Sequence, residues 1–233
     1  MFARVCPQEA GDGHQREDGK PSPTDNLMER IFSRPNMEAA WKRGKRNGGA
    51  PGIDGMTVEQ FPHFAQANWQ EIRSALEEGR YRPSPVRKTE IPKPGGGRRQ
   101  LGIPTVLDRV IQQAIAQVLT PIFDPEFSDH GCGFRPGHSA HQAVRQVQSH
   151  IRGGCRYAVD ADLSIPLVSE IDRVNHDVFM SRVARRVRDK QVLRLIGTYL
   201  RAGIGADDGT ITPAGEGVPQ GGPLSPLPTN IVV

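Results

Sequence analysis

Gly217-Val-Pro-Gln-Gly-Gly-Pro-Leu-Ser-Pro-Leu227 lies six residues before the last position of this 233-residue sequence. Its paired glycines, set among prolines, fit neither a helix interior nor a strand interior. They mark either a plain turn or a place where backbone approaches a ligand so closely that any Cβ would collide. Two upstream stretches have a similar character. Arg98-Arg-Gln-Leu-Gly-Ile-Pro-Thr105 runs from cations into glycine and proline, and Gly133-Phe-Arg-Pro-Gly137 sets an aromatic and a cation between glycines.

The chain is long enough for one large domain or two small ones with a real core. With 26 glycines, 20 prolines and 36% hydrophobic residues, many turns are expected. The net charge is only +4, but it is unevenly placed. Arg80 to Arg99 holds seven basic residues and one acid, Glu90. Arg182, Arg185, Arg186, Arg188 and Lys190 form a second cluster, offset only by Asp189. Such clusters suit a polyphosphate partner, or else are solvated helix faces.

Cys6, Cys132 and Cys155 give neither a disulfide framework nor a zinc spacing, so a reducing, cytoplasmic setting is expected. His138 and His141 are helix-spaced but lack a carboxylate or thiolate companion for a metal. No apolar run approaches membrane-spanning length, no leader pattern opens the chain, and no membrane partner is expected. Residues 1–25, rich in Gly, Asp, Glu, Ser and Pro, read as a disordered tail.

Beyond the tail, basic Trp41 to Gly49 leads to a turn at Pro51-Gly-Ile-Asp-Gly55. A helix is predicted from a cap at Asn68 to Gly79, burying Trp69, Ile72, Ala75 and Leu76. Tyr81 to Gln100 reads as a twisted hairpin with a flexible basic tip at Pro94-Gly-Gly-Gly97. Thr105 and Asp108 form a capping pair for a helix carrying Leu107, Ile111, Ala114, Ile115, Val118 and Leu119 at helical spacing. A further helix starts at Ser139 with Gln142 three residues on, and Ala140, Val144, Val147 and Ile151 are expected to face inward. Arg156 to Leu163 alternates as a strand, with Tyr157, Val159, Ala161 and Leu163 on one face and Ala158, Asp160 and Asp162 on the other. One long helix is predicted from Asp177 to Arg201, burying Phe179, Val183, Val187, Leu193, Ile196 and Leu200. Asn175-His176-Asp177 reads as its cap, and Asp207-Asp-Gly209 as a hairpin turn. Helices covering one face of a small sheet make the fold class α+β.

Asp160 and Asp162 share a strand face, so both can project into one cleft. Paired buried carboxylates repel unless cations or protons intervene, the arrangement that two-metal polymerases exploit. The alternative is a solvent-facing strand end.

Seven segments, in order, resemble the reverse transcriptase domain of group II intron-encoded maturases. They are Gly52-Ile-Asp-Gly-Met56, Ile91-Pro-Lys-Pro-Gly95, Gly102 to Gln113, Phe127-Ser128, Gly133 to Gly137 with Ser139 to Ala143, Asp172 to Asp177, and Val218 to Pro226. The resemblance spans roughly Trp41 to Asn230. It implies a right-hand polymerase's fingers with an incomplete palm: fingers over 26–104 and 178–215, palm segments over 105–177 and 216–233.

By that resemblance Asp162 is the first catalytic aspartate and a magnesium ligand. Lys93, Arg98 and Arg99 belong to the fingers hairpin that grips the incoming dNTP, where a planar guanidinium fork suits phosphate oxygens. Gln220 and Gly221 lie in the loop beside the nascent base pair. Arg80, Arg82, Arg87, Lys88, Arg135, Arg182, Arg185 and Arg186 are the expected RNA contacts, the RNA being template–primer or a group II intron.

The sequence also departs from that family. Asp162 is followed by Ser164-Ile-Pro-Leu-Val-Ser-Glu-Ile171 instead of an aromatic pair, and the next aspartate, Asp172, comes ten positions on, four later than in the family. Pro228 replaces an early-helix aliphatic residue, Cys132 a tyrosine and His138 an arginine. No second catalytic aspartate motif follows Gln220-Gly-Gly222; Asp207-Asp208 precedes it and reads as a turn. The expectation is a truncated RNA-directed DNA polymerase and maturase, not catalytic as this chain. The alternatives are a non-catalytic RNA-binding remnant and a degraded gene product.

Overall fold

A computed structural model describes residues 24–92, 96–157, 159, 175–205, 210–212 and 221–232. Its organising element is a helix that starts where the sequence places a cap. Thr105 Oγ1 accepts the Asp108 amide at 3.1 Å, and α4 then runs Val106–Phe123. Val106, Val110, Ile111, Ala114, Ile115, Val118, Leu119 and Phe123 are all buried, as are Gln112 and Gln113. A helix buried around most of its circumference sits at the centre of its domain.

Short helices pack around it. α1 (Leu27–Ile31) and α2 (Arg34–Asn47) lie against its middle. Asn36 clips α2 to α4: its Nδ2 donates to Ile31 O at 2.8 Å and Ala114 O at 3.1 Å, and Gln117 Nε2 donates to Asn36 Oδ1 at 2.7 Å. α3 spans Phe61–Glu77, so it starts seven residues before the expected cap. Asn68 is an interior residue whose Nδ2 donates back to Phe64 O at 2.8 Å. Pro62, in the first turn, is the local signal for the true start. Leu76 is buried, Trp69 and Ile72 pack at the core's edge, and the helix ends before Gly79 as the sequence indicates.

The hairpin is present. β1 (Val86–Pro92) pairs antiparallel with β2 (Arg98–Ile103), in register from Arg87 opposite Ile103 to Pro92 opposite Arg98. The tip, residues 93–95, lies outside the described residues.

The predicted long helix is two. α6 (His176–Arg186) is capped by Asn175, which accepts the amides of Asp177 and Val178. α7 (Lys190–Leu200) is capped by Asp189, which accepts the amides of Gln191 and Val192. Asp189 breaks the run because its carboxylate takes those amides from the helix ladder, and Val187 turns extended while staying buried. Phe179, Val183, Ile196 and Leu200 are buried as expected, and Leu193 is half-buried. β3 (Ile204–Gly205) then joins β1 in parallel, and β4 (Ile211–Thr212) pairs back on β3, giving the sheet order β2-β1-β3-β4. The Asp207-Asp-Gly209 turn between them is outside the described residues.

α5 (Ala140–Arg152) opens with the expected capping box of Ser139 and Gln142. Its apolar stripe is a correction. Val144, Val147 and Ile151 are 55%, 57% and 63% exposed, and Ala140 is exposed as well. The pattern for a buried face is there, but none of the described residues covers it. Of the strand expected over 156–163, Arg156, Tyr157 and Val159 are described; none of the three is in a strand, Tyr157 and Val159 are exposed, and the rest lies outside the described residues.

α8 (Pro226–Val232) packs on α6 and α4. Pro228 is its third residue, in the first turn, where a missing amide breaks no intrahelical bond. Among the described residues no helix is long and apolar enough to cross a membrane.

Candidate nucleic-acid interface

Three glycine-bearing segments that lie far apart in sequence meet at Gly102–Thr105. A Cβ on Gly52 would stand 2.6 Å from Thr105 Cα and 2.7 Å from its nitrogen. Gly221, at φ +121°, would bring a Cβ to 2.7 Å from Gly102 O. Only glycine allows these approaches. The close approach expected of Gly221 is therefore to the chain's own backbone. Gly222 sits beside Gln112 of α4, and the amide of Ser225 closes the turn on Gly222 O at 3.1 Å. Arg87 Nε donates to Pro51 O at 3.1 Å, tying β1 to the turn that carries Gly52.

Under this junction lies a buried carboxylate. Asp108 Oδ1 accepts the hydroxyls of Tyr81 at 2.7 Å and Tyr199 at 3.0 Å. Its Oδ2 accepts Thr105 Oγ1 at 2.7 Å and the Ser84 amide at 3.1 Å. Four donors surround it without a cation among them. Burial pushes the Asp108 carboxyl above its ordinary value, against the four hydrogen bonds, and pushes both tyrosine hydroxyls up as well. The sequence showed Asp108 only as a capping partner; neither tyrosine could be assigned to it from local pattern.

The expected phosphate-binding cations sort into two groups. Some are committed to the fold. Arg135, only 7% exposed, donates to Asp124 Oδ1 at 2.9 Å, Asp124 O at 3.0 Å, Gly131 O at 3.2 Å and also Ser128 O, and lies 5.5 Å over the Phe127 ring. Four of its five N–H donors are engaged by protein, a correction to its expected place among the RNA contacts. Arg182 Nη1 donates to Ile231 O at 2.6 Å and ties α6 to α8.

Others stand at the surface in exchangeable pairs. Arg98 meets Glu90 at 3.1 Å, Arg80 meets Glu78 at 2.6 Å, and Arg186 meets Glu126, all on exposed side chains. Exposed pairs of this kind add little to stability, so a phosphate can displace the carboxylate at small cost. Arg82 bonds backbone carbonyls of Gly79 and Tyr81 while exposed, Arg185 is exposed, and Lys88 is half-buried on β1. Lys93, Asp160, Asp162 and Gln220 lie outside the described residues, as does the side chain of Arg99, although its backbone pairs with Ile91 in the hairpin.

From residue 91 to residue 233 the sequence matches the family model described as reverse transcriptase (RNA-dependent DNA polymerase). The chain belongs to the reverse transcriptase family. It is 37% identical over 189 residues to protein YkfC of Escherichia coli K12, covering 78% of this chain and 48% of that protein. It is 34% identical to the group II intron-encoded protein LtrA of Lactococcus lactis subsp. cremoris, over 72% of this chain and 27% of LtrA. It is 31% identical to a putative COX1/OXI3 intron 1 protein of Saccharomyces cerevisiae, over 77% and 21%. Among solved structures it resembles a chain of a Cas6-RT-Cas1–Cas2 complex, with a TM-score of 0.57 and 22% identity over 88% of this chain and 33% of that one. The α+β fold is thus that of a reverse transcriptase polymerase domain, and the relatives include a group II intron-encoded protein. This reverse transcriptase chain spans less than half the length of each of these relatives.

Members of this family use divalent metal ions. Magnesium, which the resemblance implies, would be held here by Asp162. That aspartate is outside the described residues, and no cluster of three metal-ligating side chains occurs among the described ones.

Proposed function

We propose that this chain is the fingers and part of the palm of a group II intron reverse transcriptase and maturase, and that these 233 residues bind RNA without themselves completing a polymerase site. The observation that carries the reading is the β1–β2 hairpin. It lies at the start of the family match and presents Arg98, 75% exposed, on an exchangeable pair with Glu90. An antiparallel pair holding a cation beside its connecting turn can follow a phosphate backbone or a triphosphate. β3 of the 178–215 segment pairs with β1, which supports reading 26–104 and 178–215 as one fingers unit.

Asp162 supplies one carboxylate, whereas two-metal phosphoryl transfer needs carboxylates from more than one strand around ions about 4 Å apart. Intron RNA and template–primer are the proposed partners, dNTP and magnesium those of the completed enzyme.

The experiment pairs two measurements on the purified chain: RNA binding by fluorescence anisotropy, and primer extension on an RNA template with magnesium or manganese. Binding that weakens severalfold on Arg98→Ala with Arg99→Ala, together with no extension, is the expected result. Extension abolished by Asp162→Ala would overturn the non-catalytic reading, and binding indifferent to the arginine pair would overturn the assignment of the hairpin.

A further inference from the structure

Phe134 is 80% exposed and sits at φ +56°, a left-handed conformation that a bulky residue adopts only when its surroundings hold it there. The holding groups are visible on both sides. Asn230 Nδ2 of α8 donates to Gly133 O at 3.1 Å, and Arg135 is fixed by its bonds to Asp124, Ser128 and Gly131. A rigid turn thus spends backbone strain on carrying a phenyl ring in water. Burial explains none of it.

The surroundings point to a polyanion. Residues 130–157 contain no Asp or Glu, and Arg145, Arg152 and Arg156 are exposed within that span. Cys132 Sγ lies 4.0 Å from Gln146 Oε1, which sets the Phe134 turn beside the middle of α5, the helix that carries Arg145 and ends at Arg152. Exposed aromatic rings on an electropositive surface bind single-stranded nucleic acid, because every base has a face to stack and every nucleotide a phosphate to neutralise.

We propose that Phe134 is a stacking platform for an unpaired base of single-stranded RNA, with Arg145, Arg152 and Arg156 engaging the flanking phosphates. The proposal rests on the RNA-binding reading above and adds a separate subsite to it. Base stacking on an aromatic side chain corresponds to about a five- to hundredfold change in affinity on removal of the ring. The backbone strain gives a second signature. Phe134→Gly relieves the left-handed conformation and removes the ring together, so it raises thermal stability while weakening binding.

The test compares wild type, Phe134→Ala, Phe134→Gly and Phe134→Trp on a 20-nucleotide oligouridylate and on a fully paired RNA duplex of the same length. The expected result is a loss of about fivefold or more on the single strand for the alanine and glycine variants, with duplex binding unchanged. A higher melting temperature for the glycine variant and retained single-strand binding with quenched indole fluorescence for the tryptophan variant are also expected. Equal single-strand binding by all four proteins overturns the proposal and leaves the hairpin reading standing. A wild type that binds neither RNA overturns both. Sedimentation showing a wild-type dimer that Phe134→Ala converts to monomer would assign the ring to a second copy of the chain instead.

Discussion

Tyr199 Oη lies 3.0 Å from Asp108 Oδ1, a bond between residues 91 positions apart. It joins α7 to the start of α4, while Tyr81 reaches the same oxygen from the segment after α3. One carboxylate therefore gathers the three stretches that support the sheet. Removing one donor leaves a buried carboxyl group less satisfied, a change that costs about 1–3 kcal/mol. Tyr199→Phe keeps the ring and loses only that bond, so urea unfolding should show a destabilisation in this range. Tyr81→Phe should behave alike, and the double variant should deviate from additivity because both act on one oxygen. A Tyr199→Phe chain as stable as wild type would contradict the role given to Asp108.

The same carboxyl gives the fold a pH signature. Its value in the folded state is raised above the ordinary 3.8 by burial. The native state then holds the proton to higher pH than the unfolded chain does, so stability from this group is full below the ordinary value and is lost as pH rises through the folded value. Asp108→Asn removes the titration. The melting temperature of wild type, taken relative to that of Asp108→Asn, should fall as pH rises from about 4. A difference that is constant or grows with pH would show that the four hydrogen bonds outweigh burial.

Gly52 tests the junction itself. With a Cβ placed 2.6 Å from Thr105 Cα, Gly52→Ala must move backbone at the cap of α4. Overpacking of this kind costs about 1–3 kcal/mol. Gly55→Ala, which adds a Cβ into open space at φ +70°, provides the comparison of strain without collision. Chemical denaturation should rank Gly52→Ala as the more damaging of the two; the reverse order would mean that Gly52 does not rest on Thr105.

Arg135 and Arg98 look equivalent in sequence and should separate in experiment. Arg135→Lys forfeits the planar fork that serves Asp124, Ser128 and Gly131, and should cost about 1–3 kcal/mol of stability. Arg98→Ala breaks one exposed pair and should change stability by less than about 0.5 kcal/mol. Equal stability losses would contradict the division into structural and available cations.

How much of this could be read beforehand depends on how local each signal is. Thr105 and Asp108 are three residues apart, and their capping geometry was legible, as was the Ser139–Gln142 box. The hairpin was legible because two alternating runs flank glycines. The start of α3 is masked because Asn68 has the right chemistry for a cap but sits seven residues inside the helix. The break between α6 and α7 is hidden because Phe179 to Leu200 keeps helical spacing across it, and Asp189 is the residue that records the interruption. The burial of Arg135 and the bond from Tyr199 to Asp108 depend on chain brought together by the fold, which no local pattern encodes. For α5 the apolar stripe of Val144, Val147 and Ile151 reads as an inward face, yet no described residue covers it, because burial depends on a neighbouring element that local spacing does not specify.

Exposed cations that grip RNA phosphates release counterions on binding, so the salt dependence of RNA affinity reports on them. Each neutralised phosphate contributes a slope of roughly 0.7 to 0.9 in log Kd against log salt concentration. Engagement through Arg80, Lys88, Arg98 and their neighbours predicts a total slope near three, about four phosphates, and a drop in the slope when Arg98→Ala and Arg99→Ala are combined. Affinity that is flat from about 50 to 200 mM salt, or a slope unchanged by that pair, would contradict the account.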